Sequence, residues 1–170
     1  EKRHDRYFLR FSYTEEITLS KTEPKRQTIC SVDLGINTDA VCTIMRADGT
    51  VLGRTFINFA SEKDRLYRVL GRIRRFQREH GSRQVQSRWA YAKRLNTELA
   101  RRIAAAVTAC AVTYGADVIV FEYLETKGRI SGSKKQKLHL WKKREIQKRC
   151  EHQAHRNGIR VSRVSARNTS

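Results

Sequence analysis

Two carboxylates stand where the sequence gives acids little reason to be. Asp33 follows the run Thr28-Ile29-Cys30-Ser31-Val32, and Glu122 closes the run Val118-Ile119-Val120-Phe121. Both segments have the apolar, β-rich composition of interior strands. Taking an ionised carboxylate into such surroundings costs several kcal/mol unless something compensates. A salt-bridging arginine, a hydrogen-bond network or a metal ion can do so. Two such acids, at the ends of two strands expected to be neighbours, argue for a shared metal site. All-oxygen donors suit Mg2+ or Mn2+ rather than zinc. Two such ions held about 4 Å apart by carboxylates are a device for hydrolysing phosphodiesters. Gly35, two residues after Asp33, either keeps the strand exit open for an approaching substrate or simply forms a turn.

Other residues with chemical potential take plainer roles. Asp39, Asp48 and Glu125 are further acids near the proposed site; Asp39 reads as a solvated or capping residue and Asp48 as a turn residue. Asp117 begins its strand and is given no role. His152 and His155 are three apart with Cys150 close by, a spacing that reads as an ordinary helix surface. Cys30, Cys42, Cys110 and Cys150 are scattered without a C-x-x-C pair, so they are expected to be reduced core thiols rather than zinc ligands. Trp89, Tyr91 and Trp141 lie among basic residues and are read as packing residues, with stacking on a base as the other role an aromatic takes there.

The charge says what the partner is. The chain has 170 residues and a net charge of +19. Residues 1–60 are almost neutral at +1, 61–102 carry +9, 103–126 carry −3, 127–150 carry +9 and the last twenty +3. Two electropositive blocks therefore flank one acidic, apolar element, unlike a charge spread for solubility. The first block holds Arg65, Arg68, Arg72, Arg74, Arg75, Arg78, Arg83 and Arg88, with too few acids to pair them. Guanidinium forks grip phosphates bidentately and stack on bases. The second supplies Lys134, Lys135, Lys137, Lys142 and Lys143. The apolar stripe beside the arginines is too narrow for a membrane surface helix. No apolar run is long enough to cross a bilayer, so a nucleic acid is the expected partner.

Periodicity supplies the elements that must position these groups. Residues 7–19 read as a strand or strand pair, and 20–27, with Pro24, as a linker. Strands follow over 28–34, 41–45 and 51–57, the last two joined through Asp48-Gly49 as a hairpin. A helix begins at a Ser61/Asp64 capping box and stops near His80-Gly81; a second carries Leu95, Leu99, Ile103 and Val107 to Gly115. The strand at 117–122, a basic loop at 128–133, a helix over about 134–157 and a strand at 159–164 complete the order. Three antiparallel strands followed by αβαβ make an α/β fold, a mixed sheet with helices on both faces.

These residues also carry a resemblance. Val32-Asp33-Leu34-Gly35-Ile36-Asn37 resembles the first motif of RuvC-like nuclease domains, which have the RNase H-like fold. Val118-Ile119-Val120-Phe121-Glu122-Tyr123-Leu124, with Lys127-Gly128, resembles the second. With the arginine-rich helix between them, and the ending from Gly158 to Ser170, about residues 28–170 resemble TnpB-type transposon-associated nucleases and the compact type V CRISPR effectors related to them. The resemblance implies an RNA-guided, Mg2+-dependent DNA endonuclease, with Asp33 and Glu122 as catalytic metal ligands. It implies a target DNA and a guide RNA as partners, and a cytoplasmic protein, nucleoid-associated if prokaryotic. Residues 1–26 then end a preceding β-rich, wedge-like domain, and 27–170 form the nuclease core with a helical insert at about 61–94. Tyr123 and Glu125 stand where relatives commonly have Asp and Asn.

The family's third carboxylate follows a cysteine-rich zinc ribbon, expected beyond Ser170. The chain is accordingly expected to be a piece of a longer protein that does not cleave alone. Three rival readings remain open: a nuclease-like fold that only binds DNA under RNA guidance, a guide-independent resolvase or recombinase, and a ribosome-like RNA-binding protein. The last has no reason to place carboxylates in two apolar strands.

Overall fold

In the computed structural model, residues 2–3, 6–81, 85–123 and 142–165 are described. The alternating and continuous apolar runs become strands, as their β-branched content favours. Two short strands, β1 (Lys2–Arg3) and β2 (Arg6–Tyr7), form a small hairpin. The main sheet comprises β3 (Thr28–Asp33), β4 (Ala40–Arg46), β5 (Val51–Ile57), β6 (Val118–Tyr123) and β7 (Arg160–Ser165). Its order is β5-β4-β3-β6-β7. The first three strands pair antiparallel, whereas β6 joins β3 and β7 joins β6 in parallel. The expected mixed sheet is therefore present, with β3 at its centre.

Helices α1 (Ala60–His80), α2 (Gln86–Thr113) and α3 (Lys143–Arg156) complete the fold. Every second residue of the central strands points to α2 and α3: Cys30, Val32, Cys42, Ile44, Ile119 and Phe121 pack with Ile103, Val107, Ile146 and Cys150 in one core. All four cysteines are free and buried there, as expected of core thiols. Burial raises the Cys150 thiol to about 11, which keeps it protonated and inert. α1 folds back on α2 through a second cluster of Leu66, Leu70, Ile73 and Ala92. The described helices thus all stack on one side of the sheet, where both faces were expected to carry them. Residues on the other sheet face, such as Ile29, Ser31, Val41 and Thr43, stay half-buried.

Two local expectations are corrected and two are sharpened. Residues 8–19 form no strand, and Leu9, Phe11 and Tyr13 are exposed. The capping box is absent: α1 starts at Ala60, and the Ser61 hydroxyl instead donates to Glu62 at 2.7 Å. Asp39 does the capping, accepting from the Phe59 amide at 2.6 Å and pairing with Lys63 at 3.3 Å, and it is buried rather than solvated. The hairpin through Asp48-Gly49 is present: residues 47–50 join β4 to the antiparallel β5, with the Gly49 amide donating to the Arg46 carbonyl at 3.0 Å. Only one glycine with positive φ, Gly49 at 89°, is needed for it.

The linker at 20–27 is a pinned segment containing a 3-10 turn at Pro24–Arg26. The Ser20 and Thr22 hydroxyls each donate to one Asp117 carboxylate oxygen at 2.6 Å, and the Thr28 amide donates to the other at 2.9 Å. Asp117 therefore has a role the sequence reading did not give it. It ties the entering chain to the start of the central parallel strands.

Candidate functional site

The register of β3 and β6 decides where the two acids meet. The pairing runs from Ile29 beside Val118 to Val32 beside Phe121. One further step sets Asp33 beside Glu122. Directly opposed residues of a parallel pair share a sheet face, so both carboxylates project to the same side at the carboxyl end of the central strands. Crevices outside the carboxyl ends of parallel strands are the habitual ligand sites of such sheets.

Their surroundings differ from those expected. Asp33 is exposed and Glu122 is half-buried, so neither bears the desolvation cost that an interior strand would impose. The reason is positional: Asp33 is the last residue of β3 and Glu122 the next-to-last of β6, where the strands leave the core. The constraint on the pair is mutual repulsion between neighbouring like charges, which a cation relieves. Among the described residues no hydrogen-bond donor reaches either carboxylate. One cation does face them. The half-buried Lys143 ammonium is pushed down by desolvation, while the charges of Glu122 and then Asp33 work to raise it.

Lys143 is placed by the local fold. It is the first residue of α3, whose Gln147 side-chain amide donates to the Glu122 carbonyl at 3.3 Å. That bond fastens the amino end of α3 to the end of β6, and the helix dipole there adds positive potential. Gly35 proves to be a turn former: a β-carbon on it would meet the Thr38 carbonyl oxygen at 2.7 Å, so the loop itself fills that space. The donor set suits a hard divalent cation, since two adjacent carboxylates supply only oxygens. The described residues contain no group of three or more His, Cys, Asp or Glu that could hold a metal.

The basic residues divide into two kinds. Arg65, Arg68, Arg72, Arg75 and Arg78 lie exposed along α1 and Arg88 lies exposed on α2. None of these six is ion-paired among the described residues. Nearer the core, Arg102 pairs with Glu62 at 2.6 Å and Arg101 with Glu98 at 2.7 Å. Lys142 is also engaged, donating to Thr97 at 2.7 Å and Glu145 at 2.5 Å, so its charge serves the start of α3. Arg83, Lys134, Lys135, Lys137, Glu125 and Trp141 lie outside the described residues, as does the 128–133 loop. Trp89 is 36% exposed and does not belong to the core. Tyr91 is half-buried, with its hydroxyl accepting from Arg65 at 2.7 Å. His152 is exposed on α3, an ordinary helix surface.

Solved structures share this fold. A Cas12f1–sgRNA–target DNA complex matches with a TM-score of 0.65 at 18% identity, over 89% of this chain and 38% of that one. A CRISPR-Cas12f ternary complex matches with a TM-score of 0.67 at 19% identity, over 91% of this chain and 32% of that one. The chain thus spans about a third of the length of these structural relatives. No protein-family model matches the sequence, and no curated protein matches it. No helix among the described residues is long and apolar enough to cross a membrane.

Proposed function

We propose that the chain is the RuvC-like nuclease core of an RNA-guided DNA endonuclease, akin to compact type V effectors and their transposon-associated relatives. The observation that carries this reading is the register placing Asp33 beside Glu122 at the carboxyl end of the central parallel pair. The fold shared with chains solved in complex with sgRNA and target DNA supports it. Residues 27–170 form the core in this reading, and 1–26 end a preceding β-rich domain.

The work divides among the chain's own residues. Asp33 and Glu122 present carboxylate oxygens on one face and in reach of solvent, where a scissile phosphate can approach. Asp33 and Glu122, with a third acidic ligand from elsewhere in the parent protein, would hold Mg2+, which would supply an activated water and offset charge on the phosphate. Lys143 adds a fixed positive charge at the same end of the sheet. The arginines of α1 and α2 hold backbone phosphates, while base pairing with the guide supplies sequence choice.

The test is cleavage of target DNA in Mg2+ by the protein purified with its RNA, comparing wild type, Asp33→Ala and Glu122→Ala. Cleavage lost in both variants, with guided binding retained, is the expected result. Binding without cleavage by the wild type overturns the enzyme in favour of a binding-only protein. Cleavage that proceeds without RNA points to a guide-independent resolvase or recombinase.

A further inference from the structure

Away from the carboxylate pair, α1 and α2 enclose a cleft of about 350 Å3, lined in part by Arg72, Arg88, Tyr91 and Arg94 over Val69 and Ile73. That volume lies within the range of about 300–1,000 Å3 usual for small-ligand sites. Its floor is firm, because Ile73 is buried in the cluster that joins the two helices. Its walls are cationic, and no carboxylate lines it. The groups are also set in place. Arg65 donates to the Tyr91 hydroxyl at 2.7 Å, the Arg94 guanidinium stands 5.8 Å over the Tyr91 ring, and that of Arg88 lies 4.1 Å over Phe76.

We infer that this cleft binds one nucleotide of a single-stranded segment, with its base against Tyr91 and its phosphate among Arg72, Arg88 and Arg94. The inference rests on the nucleic-acid partner proposed above and adds a subsite to it. Arginines alone would suit any polyanion. The aromatic ring and apolar floor inside a concavity add a place for a base face. A duplex keeps its base faces stacked and presents only phosphates and groove edges, so an unpaired base alone can use the ring. Tyr91 thereby takes the stacking role that its sequence context offered beside packing, Arg94 gains a role the sequence pattern did not give it, and Arg72 and Arg88 are distinguished from the other exposed arginines.

The experiment titrates the purified protein with fluorescein-labelled oligothymidylate, oligouridylate and a DNA duplex of equal length, in EDTA and at several salt concentrations. Tyr91→Ala is expected to weaken single-strand binding at least about fivefold, with duplex binding unchanged within twofold. Tyr91→Phe, which keeps the ring, should bind like the wild type. Arg88→Ala and Arg94→Ala should each lower the salt slope by about one. The thymidylate and uridylate arms tell whether DNA or RNA is preferred. Single-strand binding that is insensitive to Tyr91→Ala, or that falls in step with duplex binding, overturns the cleft while leaving the nuclease reading in place. A wild type that binds no oligonucleotide overturns both.

Discussion

The two ends of the β3–β6 strand pair carry carboxylates that do opposite work. At the amino end, Asp117 receives three hydrogen bonds, from Ser20, Thr22 and the Thr28 amide. At the carboxyl end, roughly 16 Å away at the usual strand rise, Asp33 and Glu122 stand side by side without a hydrogen-bond donor among the described residues. A carboxylate that its own protein satisfies is a fastener. Two left to repel one another, open to solvent, are prepared for something that arrives later. The fold thus places donors where it must hold the chain, and in the proposed reading it leaves them out where chemistry would require an available charge.

The largest expected difference lies in activity. Asp33→Ala and Glu122→Ala should each lower guided cleavage by at least about a hundredfold, because ligands of a catalytic ion support several kcal/mol of transition-state stabilisation. Their unfolding midpoints in urea should move little, since neither carboxylate is buried or accepts a hydrogen bond among the described residues, and such sites are worth within about 0.5 kcal/mol. Asp117→Ala should do the reverse. Removing the acceptor of three hydrogen bonds should cost about 2 kcal/mol of stability, read as a lower urea midpoint, and leave cleavage at low temperature near wild type. A variant of Asp33 that unfolds, or of Asp117 that folds well but cannot cut, would erase the contrast.

Acid should discriminate the same two ends. Partial burial works to raise the Asp117 carboxyl, but the hydrogen bonds of Ser20, Thr22 and Thr28 and the charge of Arg160 outweigh it and hold it below the usual range. A group depressed in the folded state contributes stability above its unfolded pKa, about 4, and loses it as pH falls through the folded value. Wild-type stability should therefore drop on acidification below about pH 4, and Asp117→Asn should flatten that part of the profile.

Much of this was legible in the chain. Six-residue apolar runs, helix periodicity and glycine stops located the five strands and the helices, and strand order followed from the connections. Asp33 and Glu122 were found through an argument about burial that the structure does not sustain. They stood out because strands run apolar until they leave the core, and the last residues of two neighbouring strands converge. Asp117 escaped notice because its donors lie 89 to 97 positions away in sequence. No spacing rule connects Ser20 with Asp117. Asp39 was read as a solvated or capping residue and does cap α1, but the sequence did not say which helix, because Ser61 offered a nearer motif that the fold does not use. The 7–19 run shows the opposite failure, a strand pattern of which only Tyr7 lies in a strand.

The finest test of the contrast is Lys143. Its ammonium feels the charges of both Glu122 and Asp33. A fixed positive charge beside a pair of carboxylates relieves their repulsion, but it also opposes any divalent cation that comes to the same place. Lys143→Met should therefore tighten Mn2+ binding at this end by a few-fold, about 1 kcal/mol for a partly solvated charge, measured by electron paramagnetic resonance on the protein without nucleic acid. The gain should vanish in the Asp33→Ala background, because the ligand pair is then broken. The same variant should leave the acid profile set by Asp117 untouched. Weaker Mn2+ binding in Lys143→Met would mean that the lysine organises the carboxylates rather than competing for them, and the open end of the strand pair would then be held as firmly as the closed one.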